Sequence, residues 1–427
     1  MFKKYDAYKD SGIDWVGKIP AHWNVLKLGG IFEQRNQKVS DKDYPALSVT
    51  KNGIVPQLDN AAKTKDGDNR KLVLKGDFVI NSRSDRKGSS GLSSLDGSVS
   101  LINIVLKPRK IEPKFSHHLM KCNAFIEEYY RVGRGIVADL WTTRFEEMKT
   151  MNLALPSVDE QRQIADFLDQ RLVEIDQAIA IKEQQIALLN ERKQIVIQKA
   201  VTQGLNPNVA MKDSGVEWIG KIPEHWQIKK LKFICKSQGR IGFKGYSSDD
   251  LVDQHEGALT LGATHLNWNG EIVLDQPVYL SWKKYYESPE IMVKKDDILI
   301  VQRGSTCGKV AIVDKDYGRV TINPSLVLLK EFKENPYFCV EGIKVVLNGI
   351  LNEVSKTAIP MISQFQINNI EIALPPQNEQ MQIIEYINEI QVSFKSLIDI
   401  KFNEIEKLKE YKTTLINDAV TGKIKVA

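Results

Sequence analysis

Residues 9–28 read KDSGIDWVGKIPAHWNVLKL and residues 212–231 read KDSGVEWIGKIPEHWQIKKL. Trp15, Pro20, His22 and Trp23 recur as Trp218, Pro223, His225 and Trp226, at an offset of 203 in a chain of 427 residues. A match this dense at half-chain spacing marks an internal duplication, and a duplicated chain folds as like modules. Two further echoes keep the same order. LALPSVDEQRQI from Leu153 matches IALPPQNEQMQI from Ile372 at an offset of 219, and the same offset pairs Lys199-Ala-Val-Thr with Asp418-Ala-Val-Thr. KGDFVINSRS, ending at Ser84, stands beside KDDILIVQRG, ending at Gly304. Each half therefore holds a Trp-bearing opener, a middle, an Ala-Leu-Pro junction and a long polar segment without Gly or Pro.

In the middles, Phe78-Val-Ile and Ile298-Leu-Ile-Val, bounded by Gly, Asp and Ser, predict strands joined by turns, so each half reads as a mixed α/β (α+β) globular domain. After the junctions the pattern changes. Ser157 with Glu160 predicts a capping box, Pro375-Pro376 suits a first helical turn, and Gly204 and Gly422 supply the stops. Between those signals the apolar residues follow a heptad. In the first copy Leu168, Ile175, Leu189 and Val196 share one heptad position with Lys182, and Leu172, Ile179 and Ile186 share the other with Lys193 and Ala200. The second copy sets Ile387, Phe394, Leu408 and Leu415 beside Ile398 and Ile405, with Lys401 and Lys412 in the matching slots. One reading makes each segment a core helix of its own domain; the other packs the two helices together. The 45 residues from Asp159 to Gln203 would span about 68 Å as a helix, longer than a small domain is wide, which suits a spacer.

Composition limits the function classes. By length alone, at about 150 residues per domain, the chain suggests roughly three domains, each able to bury a core. Hydrophobic residues make up 42%, and no stretch reaches the roughly 18 apolar residues of a membrane span. The Met-Phe-Lys-Lys start lacks the apolar core of a signal peptide. Cys122, Cys235, Cys307 and Cys339 form no C-x-x-C pair, which argues against a zinc site or disulfide framework and favours a reducing cytoplasm. Lys and Arg number 59 against 54 Asp and Glu, and a net charge of +5 does not by itself establish a nucleic-acid partner.

The Asp-Ser-Gly-x-x-Trp-x-Gly-x-Ile-Pro-x-His-Trp opener, the Leu-Pro junction running into Glu160-Gln161 and Glu379-Gln380, and the duplicated layout together resemble the specificity subunits of type I restriction and modification enzymes over essentially the whole chain. The resemblance implies two globular target recognition domains joined by two long conserved helices in an antiparallel coiled coil, with an internal pseudo-twofold duplication. On this sequence the domains fall at 1–155 and 205–374, and the helices at 156–204 and 375–427. It further implies a non-catalytic DNA-recognition subunit, each domain reading one half of a bipartite site. The chain itself would hold no cofactor. Its implied partners are double-stranded DNA, two modification subunits that bind S-adenosylmethionine, and restriction subunits that hydrolyse ATP with Mg. The two middles align poorly with each other, as two different half-sites require.

Several motifs point elsewhere and fail on detail. Gly304-Ser-Thr-Cys-Gly-Lys309 looks like a phosphate loop, but three residues separate its glycines and Val310 stands where a Ser or Thr must reach magnesium. Ile322-Asn-Pro-Ser325 lacks the second proline and the aromatic of an adenine methyltransferase, and reads as a turn between strands. His117-His118 has no acidic or Cys partner at ligand spacing. The repeated Trp residues read as packing, because an identical motif serves poorly to read two different targets. A stand-alone adenine methyltransferase with fused recognition, and a coiled-coil scaffold that never touches DNA, are the rival readings.

DNA readers belong where the halves differ, on loops beside strands, with Arg, Lys, Asn, Gln, Ser or Thr to meet base edges and phosphates. Asn81, Ser82, Arg83, Arg86 and Lys87 follow one strand; Gln302, Arg303, Ser305, Thr306 and Lys309 follow its counterpart. Arg83 and Arg303 are equivalent, which suits phosphate positioning. Further candidates are Lys51 and Asn52 in the first half and Arg240, Lys244, His265 and Asn267 in the second. No residue is assigned to catalysis or to a metal.

Overall fold

The computed structural model describes residues 2–58, 67–135, 141–240, 245–354 and 361–426. The chain divides into two compact units, residues 1–185 with 400–427, and residues 186–399.

In the first unit the apolar run Phe78–Asn81 is the inner strand of a four-stranded antiparallel sheet ordered Ser90–Leu92, Phe78–Asn81, Asn103–Pro108, Phe32–Gln34. Its side chains alternate between two cores, as the period of two requires. Phe78 and Ile80 face the main cluster with Trp23, Phe115, Phe125 and Tyr129. Val79 faces a smaller one with Leu47, Ile54, Val73 and Val99. Burial on both faces explains why the strand reads as unbroken apolar sequence. The opener is closed by the junction, since Asn24–Lys27 pairs antiparallel with Asn152–Leu155.

The second unit repeats the plan. Its inner strand Ile298–Val301 lies between Leu326–Lys330 and Val310–Ile312, with Lys236–Gly239 beyond. Ile298 and Ile300 face one core, Leu299 and Val301 the other. Gln227–Lys230 pairs with Glu371–Leu374 just as in the first unit. A second sheet, ordered Leu251–Val252, Tyr279–Ser281, Gly257–Leu261, Val320–Ile322, contains a parallel pair.

Both long helices form: Val158–Gln203 and Gln377–Val420. Ser157 Oγ accepts the Glu160 N–H at 3.3 Å, but the expected reciprocal half of the capping box is replaced. The Glu160 carboxylate turns to the opener instead, accepting from Tyr5 Oη at 2.7 Å and Trp23 Nε1 at 3.2 Å, and pairing with His22 Nε2 at 2.9 Å. Glu379 does the same with Trp226 Nε1 at 3.2 Å and His225 Nε2 at 2.8 Å. Gln161 and Gln380 cross-link the same corner through backbone groups of Glu112 and Pro156, and of Asn335 and Pro375. Trp23 and Trp226 are fully buried, so the repeated opener is packing, as expected. Gly204 and Gly422 follow the helix ends at φ of +74° and +73°.

Within each unit one half of each helix packs on the other. In the first, Leu168 and Ile175 share the core with Leu415 and Ala419, Lys182 pairs with Glu404 at 2.8 Å, and Asp176 with Lys412 at 2.6 Å. In the second, Ala200 and Val201 share the core with Ile383 and Ile387. Rising numbers on one helix meet falling numbers on the other, which is antiparallel packing. The heptad separates chemically identical residues. Leu168, Ile175, Ile387, Phe394, Ile405 and Leu415 are buried, and Leu172, Ile179, Ile186, Leu189, Val196, Ile398 and Leu408 are half-buried. Ile181, Leu188 and Ile195, off the seam, are exposed. Among the described residues no helix is long and apolar enough to cross a membrane.

Candidate nucleic-acid interface

The loop after each inner strand is held from below in the same way. In the first unit the Thr143 N–H donates to the Ser82 carbonyl at 3.0 Å, and in the second the Ile362 N–H donates to the Gln302 carbonyl at 2.8 Å. Arg83 and Arg303 bridge to Thr142 and Met361. These cross-links anchor the loop backbone, and side chains carried on an anchored backbone can be placed to meet a partner.

In the first unit Asn81 is buried, and its Oδ1 accepts the Arg83 N–H at 3.0 Å, so its side chain shapes the loop. Ser82 is buried too. Arg83, Arg86 and Lys87 are exposed. The Tyr130 hydroxyl donates to the Arg83 carbonyl at 3.1 Å, Lys87 pairs with Glu127 at 2.6 Å, and Arg86 lies 3.5 Å from Asp85. Lys51 and Asn52, both exposed, form the turn of the hairpin Leu47–Thr50 and Gly53–Pro56. Lys121 Nζ ties that turn to the strand after the loop, donating to the carbonyls of Lys51 at 2.6 Å and Ser90 at 3.1 Å. No local pattern of residues marks Lys121, whose role depends on this contact between segments far apart in the chain.

In the second unit Arg303 is exposed but pinned: Nε and Nη2 both donate to the Pro324 carbonyl, at 3.0 and 2.5 Å. Gln302 Nε2 donates to the same carbonyl at 2.9 Å. Pro324 belongs to the Asn323-Pro-Ser325 turn between Val320–Ile322 and Leu326–Lys330, so the motif set aside as a strand turn is one, and it braces the candidate loop. Ser305 is exposed and Thr306 half-buried; Lys309 Nζ donates to the Leu266 carbonyl at 2.7 Å. Arg240 is buried, donating to the Ile322 carbonyl and Thr321 Oγ1, both at 3.1 Å, and burial lowers its pKa. His265 is buried, with Nδ1 accepting the Gly262 N–H at 2.9 Å and Nε2 at 3.0 Å from the Gln276 carbonyl. Asn267 closes a turn with Glu271. Lys244 lies outside the described residues. The structure thus places Arg83, Arg86 and Lys87 on one tethered loop and Arg303, Ser305 and Thr306 on its counterpart, keeps Lys51 and Asn52 on a separate hairpin turn, and puts Asn81, Ser82, Arg240 and His265 beneath the surface.

The glycines of Gly304–Lys309 sit between two strands, and no helix follows to receive a phosphate. His118 Nε2 bonds Asp169 Oδ1 at 2.8 Å, and His117 Nδ1 accepts the Leu92 N–H at 3.2 Å, with burial pushing the His117 pKa down to about 4. Both histidines are satisfied within the fold. Burial pushes the thiols of all four free cysteines up, away from the reactive thiolate.

Known proteins share this architecture. The profile of the type I restriction modification DNA specificity domain matches the chain twice, at residues 20–191 and 223–410. The MjaVIII type I restriction enzyme specificity subunit of Methanocaldococcus jannaschii is 25% identical over 96% of this chain and 94% of its own length. The EcoDI specificity subunit of Escherichia coli is 21% identical over 96% and 90%. Among solved structures, a chain described in connection with complex assembly and conformational transition of the type I restriction-modification system superposes with a TM-score of 0.67 at 16% identity, covering 94% of this chain and 98% of that one. The HsdS subunit from Thermoanaerobacter tengcongensis superposes with a TM-score of 0.53 at 17% identity, over 95% and 98%. Two copies of the domain profile, full-length relatives and the duplicated fold agree: the chain belongs to the specificity subunits of type I restriction-modification systems, the non-catalytic subunits that carry DNA recognition.

Proposed function

We propose that this chain reads a bipartite target in double-stranded DNA, one half through recognition residues within 1–155 and the other through residues within 205–374, and that the helices 156–204 and 375–427 space the two. The observation that carries this is the pair of loops after equivalent strands, tethered alike through Ser82 and Gln302 yet different in their exposed side chains. Equal scaffolds with unequal readers suit two different half-sites. Arg83 and Arg303 position the phosphate backbone, while Lys51, Asn52, Arg86, Lys87, Ser305 and Thr306 offer donors and acceptors toward the grooves. Arg240, His265 and Asn81 act by fixing the backbone beneath them.

The chemistry belongs to partners. Modification subunits carrying S-adenosylmethionine methylate adenine, and restriction subunits use ATP and Mg, all in the cytoplasm. The decisive experiment replaces residues 24–150 by those of another family member and maps methylated adenines in host DNA. One half of the methylated motif should change and the other persist. Simultaneous change of both halves would refute independent reading.

A further inference from the structure

Trp268 stands 64% exposed at the tip of a hairpin turn. A ring of this size normally gains a few kcal/mol by burial, so its position in water calls for a reason. The turn that carries it is braced by hydrogen bonds. Asn267 Oδ1 accepts the N–H groups of Asn269 and Glu271 at 3.0 and 2.9 Å, and Asn267 Nδ2 donates to Glu271 Oε2 at 2.7 Å. Gly270, at φ +83°, packs so closely on neighbouring elements that a Cβ there would stand 2.9 Å from Lys344 Nζ and 3.1 Å from the Val310 carbonyl. The turn is thereby seated against the strand that leaves the Gln302–Lys309 loop.

Lys309 joins loop and turn. Its Nζ donates to the Leu266 carbonyl at 2.7 Å and stands 5.7 Å from the centre of the Trp268 ring. A flat apolar ring beside an anchored ammonium suits a nucleic-acid backbone, since the cation can neutralise a phosphate while the ring covers the neighbouring sugar. We infer that Trp268 and Lys309 act as one DNA contact of the second unit, Lys309 on a phosphate and the indole packed on the adjoining deoxyribose; this rests on the DNA-recognition reading above. Among the described residues the first unit does not repeat it: Lys87 of the equivalent loop stands 5.7 Å from the centre of the Tyr130 ring, but that ring is buried. Two hundred and twenty residues earlier, Lys309 is matched by Ser89, which is buried. The contact therefore belongs to one half-site.

The test uses the complex reconstituted with its modification subunits and a fluorescein-labelled duplex carrying the motif mapped in host DNA, with affinity read across a salt series. Trp268→Ala should weaken binding about tenfold without changing the salt slope, and Trp268→Phe should recover most of it. Lys309→Gln should flatten the slope by about one unit. Because the two act together, the double variant should lose less than the product of the single losses. Melting temperature and assembly on a sizing column should match the wild type. Binding by Trp268→Ala within twofold of wild type, or loss of assembly in place of loss of binding, would overturn the inference. A wild-type complex that selects no duplex sequence would strike the broader reading instead.

Discussion

Trp23 Nε1 donates to Glu160 Oε1 at 3.2 Å across 137 residues of chain, and Trp226 makes the same bond to Glu379 at the same length. The indole is fully buried, so this carboxylate satisfies a donor that water cannot reach. It also links the opener to the first turn of the long helix, where the backbone N–H groups favour negative charge. The duplicated residues are thus the fastening of each recognition unit to its helix.

Glu160→Ala should lower stability by about 1–3 kcal/mol, because it orphans the Trp23 N–H as well as the bonds to Tyr5 and His22. Glu160→Gln keeps an acceptor and should be milder. Urea denaturation monitored by circular dichroism checks the order.

Both helix-terminal glycines have positive φ, but their surroundings differ. At Gly422 a Cβ would overlap Pro20, whereas at Gly204 the nearest atom would be Glu379 Oε1 at 3.2 Å. Each Ala substitution should cost about 1 kcal/mol for the left-handed backbone, and Gly422→Ala clearly more. Thermal melts of the two variants should rank them so.

Seam and surface predict opposite outcomes for like residues. Ile175→Ala or Leu415→Ala should destabilise by about 2–4 kcal/mol, since both are buried between the helices of the first unit. Ile181→Lys should change stability by less than about 0.5 kcal/mol. A large loss with Ile181→Lys in the isolated chain would mean that the seam lies elsewhere.

Two equivalent buried carboxylates, Asp77 and Asp297, have different partners. Asp77 is held by Arg35 through two bonds of 2.7 and 3.1 Å. Among the described residues no arginine pairs with Asp297, and burial pushes its pKa up from 3.8 to about 6 against the opposing pull of the Lys294 N–H and Lys330. The folded state then holds a proton that the unfolded state releases between about pH 4 and 6, so this residue's contribution to stability falls as pH rises through that window. Asp297→Asn should remove the fall and stabilise the protein at pH 7 by on the order of 1–2 kcal/mol. Asp77→Asn should destabilise, because it leaves Arg35 without its carboxylate. Melting curves from pH 4 to 7 test both.

Arg83→Ala and Arg303→Ala should weaken binding to all duplexes about equally and flatten the salt slope by roughly one unit each. Loss of preference at one base pair, with non-specific affinity intact, would make either one a base reader.

Much was determined by sequence alone, for reasons of period and repetition. The duplication, the junctions, the helix stops at Gly204 and Gly422 and the heptad seam are local patterns, since helix packing repeats every 3.5 residues wherever the partner lies. The strands Phe78–Asn81 and Ile298–Val301 were legible as apolar runs, and their equivalence as a register of 220 residues. The candidate loops followed from that register. What only the tertiary structure decided is the fate of each polar side chain on or near them. Arg240 and His265 look like readers in sequence, but their partners, the carbonyls of Ile322 and Gln276, reach them only through folding. Glu160 looks like half of a capping box until the opener, more than 130 residues away, brings Tyr5, His22 and Trp23 to its carboxylate. Nothing in the sequence around Trp268 sets it apart from the buried tryptophans, and only the fold shows that it stands 64% exposed. A hydrogen-bonding group has the same chemistry whether its partner is protein, water or DNA. Which of these it meets depends on non-local packing, and no local pattern of residues encodes that.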